Sequence, residues 1–253
     1  RLANRLSGRT CPGWLAAFGY ALYPGFFYQD SAGDWDHTLA TFLALGTLTL
    51  TLAPEINRRR ALLIGLLLGL TALVNPVLAF AAGLPVIVCH HKSPRILPLC
   101  FATAAIVVSP WLVRNAVVFH HFIPIRGNAG LELALGNHDG ADGRTPVVTA
   151  MDVKSGTVPD HPYVKPVEAA RLRDLGEPAY MAEKKQQAFA WIEDHPLRFA
   201  ALTATRAWLF WFPPREFWDP TAALGWPSMI LFNLATVLAL VGFIFITHRT
   251  SIV

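Results

Sequence analysis

What most constrains this chain is the gathering of its apolar residues into blocks that carry almost no charge: residues 11–28, 37–53, 61–89, 96–113 and 226–247. About 20 consecutive apolar residues cross a bilayer, so each block is a candidate membrane segment. Composition agrees. The chain has 253 residues, 53% of them hydrophobic and 15% charged, against about a quarter charged in soluble domains. Disorder is excluded, because a disordered chain is poor in apolar residues and this one carries 16 Phe and 8 Trp. The expected fold is all-α: a polytopic helical membrane protein with about six crossings and an extracytoplasmic segment of loops and helices.

The 61–89 block is interrupted by Asn75-Pro76. Proline lacks a backbone donor and disfavours helix in the residue before it, which predicts two short helices, 61–74 and 76–89. Orientation follows from the basic residues. Arg1, Arg5 and Arg9 precede the first block, Arg58, Arg59 and Arg60 follow the second, Lys92 and Arg95 follow the broken pair, and Arg249 follows the last. Placed in the cytoplasm, these leave the short loop 29–36 with three Asp and no Lys or Arg, as the positive-inside rule requires. Both termini are then cytoplasmic and 114–225 is one long outer segment, which the rule does not govern. The net charge of +4 is thus topogenic in origin, and nucleic acid is not an expected partner.

Within the outer segment, 138–166 is rich in Gly, Pro, Asp and Thr and reads as an irregular loop. From 178 to 212 amphipathic or interfacial helices are expected. In the first half Tyr180, Met181, Ala188, Phe189 and Ile192 oppose Glu183, Lys184, Lys185 and Gln187. In the second, Arg198 and Arg206 accompany Trp208, Phe210, Trp211 and Phe212, which suits a helix lying at the bilayer interface. A true crossing by 198–212 is the alternative, and it would reverse the last helix.

Two stretches could carry chemistry. QDSAGDWDHT holds Asp30, Asp34, Asp36 and His37 directly before a membrane block. A carboxylate there either marks topology and caps the helix, or acts as a general base or holds a divalent cation for a reaction on a membrane-borne substrate. PWLVRNAVVFHHFIPIRGNAGLELALGN presents Arg114 at the outer end of a helix, Arg126 after an extended stretch, and then Asn128, Glu132 and Asn137. Guanidinium forks match phosphate oxygens, and Asn and Glu read hydroxyls, so the stretch suits a phosphate joined to a polyol. An ordinary membrane-exit arginine followed by a Gly-rich turn is the plain alternative. Cys11, Cys89 and Cys100 have no CxxC spacing, and no HExxH, GxSxG, Walker A or GxGxxG motif occurs. Disulfide, zinc, soluble hydrolase, kinase and dehydrogenase readings fall away.

In order along the chain come Tyr23-Pro24 with Tyr28, Asp36-His37-Thr38-Leu39 with Thr41-Phe42, GLLLGLTALVNP, Pro110-Trp111 with Arg114-Asn115, FIPIRGNAGLELALGN, and His195-Pro196. In these the chain resembles bacterial integral-membrane glycosyltransferases of the GT-C type, a superfamily that includes protein mannosyltransferases, lipid A aminoarabinose transferases and Rgt-type lipopolysaccharide glycosyltransferases. The resemblance implies a polyprenyl-phosphate-linked sugar donor, a lipid, glycan or protein acceptor, and inverting transfer at the outer face of the bacterial inner membrane. It implies Asp36 at the acceptor side or supporting the catalytic carboxylate, Arg114 and Arg126 facing phosphate, and Glu132 and Asn137 meeting sugar. Relatives carry a further acidic loop after an initial helix, so the chain reads as a fragment, and they often carry Lys or Arg where this chain has Asn75 before Pro76. No cofactor is certain beyond the divalent cation already considered. A transporter is disfavoured because charges fall at the ends of the blocks rather than within them. A non-catalytic subunit would offer AWLFWFPPREFWDP as its contact surface.

Overall fold

The computed structural model describes residues 11–23, 35–53, 55–144, 160–213 and 225–250. Among these residues the chain is all-helical: α1 (Cys11–Ala21), α2 (Trp35–Thr51), α3 (Arg58–Val74), α4 (Pro76–His90), α5 (Ile96–Phe119), α6 (Ala129–Gly136), α7 (Pro166–Leu175), α8 (Glu177–Asp194), α9 (Pro196–Trp211) and α10 (Gly225–Thr250). It divides into two compact units, Arg1–Ile125 and Arg126–Val253.

The first unit is built around α3. Asn57 starts this helix by accepting a hydrogen bond from the Arg60 backbone N–H at 3.0 Å. Asn75 ends it and begins the next, since its backbone N–H goes to the Thr71 carbonyl while its side chain accepts from the Leu78 N–H at 3.0 Å. One residue therefore makes the break that the Asn-Pro pair predicts. Gly65 lies against Cys100 and Thr103, and Gly69 against Ala104 and Val107, so α3 and α5 run parallel in close contact. Ala44, Leu68, Ala79 and Ala82 form one core cluster. Ala61, Ile64, Val86 and Cys100 form another, with Leu50 against it. Both α2 and α4 accordingly run antiparallel to α3.

The packing is inverted relative to a water-soluble bundle. Buried positions are mostly small or hydroxylated: Ala40, Ala44, Thr47, Thr51, Thr71, Ala79 and Ala82. Large apolar side chains point outward, among them Phe42 at 72% exposure, Val77 at 79%, Phe80 at 72% and Ile106 at 70%. The buried hydroxyls are satisfied locally, Thr47 by the Leu43 carbonyl at 3.0 Å and Thr51 by that of Thr47 at 2.8 Å. Pro110 inside α5 frees the carbonyl of Ile106, and the Ser109 hydroxyl donates to that oxygen at 2.9 Å. Such repair is needed where water cannot supply the bond.

By length and composition, α5 is the one helix among the described residues that is able to cross a bilayer, with 24 residues. Of the others expected to cross, α10 runs for 26 residues, while α2, α3 and α4 are short, with 17, 17 and 15. At 1.5 Å per residue the short helices reach about 22–26 Å, against a hydrocarbon core of about 30 Å.

In the second unit α6 packs on α8 so closely that Gly130 sits on the Met181 backbone. Helices α7, α8 and α9 each begin with proline in the first turn, at Pro166, Pro178 and Pro196, where its missing N–H costs nothing.

Candidate functional site

The register of the first unit assigns its polar residues to two ends. From the Gly69–Val107 contact onward, the parallel pair α3 and α5 brings Asn75 level with the turn from Trp111 to Arg114. From the Ala44–Leu68 cluster, the antiparallel α2 brings Asp36 to that same level. Asp36, His37, Asn75 and Arg114 therefore share one end of the unit. Arg58, Arg59, Arg60, Lys92 and Arg95 share the other, at the start of α3 and between α4 and α5.

Asp36 lies in the first turn of α2, where a negative charge is favoured by the helix dipole, with His37 Nε2 3.8 Å from its carboxylate. Its side chain is 26% exposed, within reach of a ligand. Asn75 has committed its amide oxygen to capping α4, so only its NH2 could meet a phosphate. Arg114 does not mark the end of its helix, as the sequence reading expects. The helix continues to Phe119, and the guanidinium is held between the rings of Trp111 and Phe119, 5.2 and 5.6 Å from their centroids, while donating to Asn115 Oδ1 at 3.0 Å. His120, at φ 53°, then turns the chain back. Buried Asn115 donates to the Ile123 carbonyl at 3.2 Å and the Trp111 indole to that of Ile125 at 3.1 Å.

Arg126, Asn128, Glu132 and Asn137 belong to the second unit. Arg126 is exposed. Asn128 and Glu132 satisfy each other across one turn, Nδ2 to Oε1 at 3.1 Å. They lie on and before α6, a helix the sequence reading leaves as a Gly-rich turn. Asn137 is buried, donating to the Leu133 carbonyl at 2.8 Å and accepting from Arg206 Nη1 at 3.2 Å. Arg206 also donates to the Gly136 carbonyl. Arg198 donates to the Asp139 carbonyl at 2.8 Å. These two arginines, expected to face lipid headgroups, instead tie down the chain leaving α6, where helix-end carbonyls favour a cation. Asp30 and Asp34 lie outside the described residues.

Sequence reasoning missed a buried charge cluster beside this chain turn. It assigns Lys184 to a solvated face, yet the side chain is only 7% exposed and its ammonium lies 2.7 Å from the Glu168 carboxylate. The Tyr180 hydroxyl donates to the same carboxylate at 2.6 Å. The signal was present: Tyr180, Lys184 and Ala188 recur every fourth residue and so share one stripe of α8. Burial alone would push the Glu168 carboxyl up, but the hydrogen bonds from Lys184 and Tyr180 outweigh it and hold the group below its ordinary range. Burial, then the bond to Glu168, push the Tyr180 hydroxyl well above its usual value. The hydrogen bond from Lys165, opposed by partial burial, holds Asp160 low.

Next to this cluster is a cavity of about 410 Å³ lined by Ala134, Leu135, Asn137, His138, Asp160, Lys184, Gln187, Ala188 and Trp191. Among the described residues no group of three or more His, Cys, Asp or Glu side chains is arranged to hold a metal ion. Compared with protein-family models, with curated proteins and with solved structures, the chain matches none.

Proposed function

We propose that the chain is a polytopic membrane protein that transfers a sugar from a polyprenyl-phosphate-linked donor to an acceptor at the outer face of a bacterial inner membrane. The observation that carries this is the shared end of the first unit: helix register puts Asp36, Asn75 and Arg114 at one level, opposite the basic end, in a bundle with large apolar side chains outside and small ones inside. Lipid removes the cost of that exposed surface, and small residues let membrane helices approach. The arginine-rich end then faces the cytoplasm and the Asp36 end faces outward.

The chemistry follows from headgroup depth. A donor with its tail in the bilayer holds its phosphate near headgroup depth, where Arg114 sits in the last turns of α5, and a fixed guanidinium suits the charge that grows on the leaving phosphate. Asp36, or Asp30 or Asp34 shortly before it in the sequence, accepts the proton of the acceptor hydroxyl as its oxygen attacks the sugar carbon opposite the phosphate. His37 and Asn75 supply hydrogen bonds at the rim.

The test is an assay in nanodiscs with radiolabelled polyprenyl-phosphate hexose, following loss of label from the lipid. Arg114→Ala should raise the donor concentration needed, and Asp36→Asn should lower turnover at saturating donor. A chain that neither binds nor consumes this donor, or an Asp36→Asn/Arg114→Ala protein as active as the parent, overturns the proposal.

A further inference from the structure

The second unit holds a half-open cavity that the proposed donor chemistry does not use. Its volume, about 410 Å³, falls in the range of small-molecule sites, roughly 300–1,000 Å³. Two of its polar residues, Asn137 and Lys184, are 5% exposed. Among the described residues the Lys184 ammonium has Glu168 as its one hydrogen-bond partner, so two of its three N–H donors remain beside the cavity. His138 Nδ1 accepts the Gly140 N–H at 3.1 Å, which leaves the proton on Nε2 and makes that nitrogen a donor. Asp160 contributes acceptor oxygens, and Gln187, whose NH2 donates to Glu183 at 2.8 Å, contributes its amide oxygen. Trp191 forms one wall, its indole fixed by Asp139 at 2.7 Å and by stacking on His195 at 4.9 Å.

The charges decide what class of ligand this suits. Lys184 is paired with Glu168 and Lys165 with Asp160, so the acids and ammonium groups around the cavity cancel. An ionic ligand would find no uncompensated ammonium or carboxylate on the lining itself, and Arg206 behind it is spent on Asn137 Oδ1 and the Gly136 carbonyl. A polyhydroxylated ring would find donors and acceptors side by side and an indole already held in place beside them. From this geometry we infer that the cavity binds an uncharged sugar ring at the end of a glycan. This binding does not rest on the transferase reading.

The experiment holds the full chain in nanodiscs and measures retention of fluorescently labelled neutral hexose disaccharides, hexuronic acid disaccharides and hexose phosphates, with the donor-consumption assay run in parallel. Neutral disaccharides should be retained preferentially. His138→Ala and Gln187→Ala, both at exposed positions, should each weaken retention by about threefold to tenfold, the value of one ordinary hydrogen bond. Phe80→Leu on the outer surface of the first unit should change nothing. Absence of neutral-sugar binding, equal binding by the His138→Ala/Gln187→Ala protein, or preference for the acidic sugars overturns the inference. Sugar binding without donor consumption keeps the site and removes the transferase reading; donor consumption without sugar binding does the reverse.

Discussion

Replacing Lys184 by methionine removes one partner of a buried ion pair and leaves the other in place. The side chains of Lys184 and Glu168 are 7% and 13% exposed and 2.7 Å apart, and Glu168 retains only the Tyr180 hydroxyl at 2.6 Å. Stranding a buried charge in this way costs about 3–5 kcal/mol. Glu168→Gln alone leaves the ammonium stranded and should cost a similar amount. The double variant should cost much less than the sum, because a glutamine amide oxygen still accepts from Tyr180 and methionine fills the lysine channel; a coupling of about 0.5–3 kcal/mol is expected. Amide hydrogen exchange over α7 and α8 reads the effect locally, without requiring the whole chain to unfold reversibly. Strict additivity, or a loss below about 1 kcal/mol in Lys184→Met, an amount typical of exposed pairs, would show that the pair is solvated and the logic wrong.

Gly130→Ala should loosen α6 from α8 by about 1–3 kcal/mol, the usual cost of overpacking, because the added carbon would lie against the Met181 backbone; faster exchange of α6 amides is the readout. Asn115→Leu should leave the Ile123 carbonyl without its 3.2 Å donor and raise exchange in 120–125, at a cost of about 1–3 kcal/mol. The second unit should weaken at both extremes of pH. Glu168 and Asp160 have lowered folded-state values, so their contribution is present above the ordinary carboxylate range of about pH 4 and is lost as pH falls through those lower values. Tyr180 is raised, so its contribution is present below about pH 10 and is lost on further rise. Circular dichroism melts across pH should show both limbs, with the acid limb shallower in Glu168→Gln.

How much was legible from sequence depends on whether the deciding contact was local. Helices α3 and α4 were legible because Asn75-Pro76 is both a stop and a start, and α2 because Asp36 opens an uncharged run. The end of α5 was not. Arg114 resembled an exit residue, but the rings of Trp111 and Phe119, on the same helix, hold its charge and the helix runs on to a left-handed His120. Helix α6 was hidden between Gly130 and Gly136, where propensity is poor; its support comes from Arg206 on α9 and the backbone of α8, far along the chain. Helix α7, polar and just ten residues long, shows little apolar stripe of its own, and its buried partner is Tyr180 on α8. Of the candidate carboxylates, Asp36 has a described place and Asp30 and Asp34 have none.

The two-ended charge pattern of the first unit makes a prediction about geography that does not depend on catalysis. If lipid surrounds the outward-facing Phe42, Val77 and Phe80, the turn between α4 and α5 and the turn after α5 must emerge on opposite sides of the bilayer, since one long apolar helix of 24 residues separates them. In a Cys11→Ser/Cys89→Ser background, with buried Cys100 left in place, Ser93→Cys and His121→Cys put one thiol in each turn. A membrane-impermeant maleimide added to intact cells should label His121→Cys and spare Ser93→Cys until the cells are opened, because the arginines and lysine near Ser93 keep that turn inside. Labelling of both thiols from outside would mean that α5 does not cross the membrane. The inverted bundle would then need a protein partner rather than lipid to cover it. Labelling of Ser93→Cys alone would invert the topology and put Asp36 and Arg114 in the cytoplasm, away from an externally presented lipid-linked sugar.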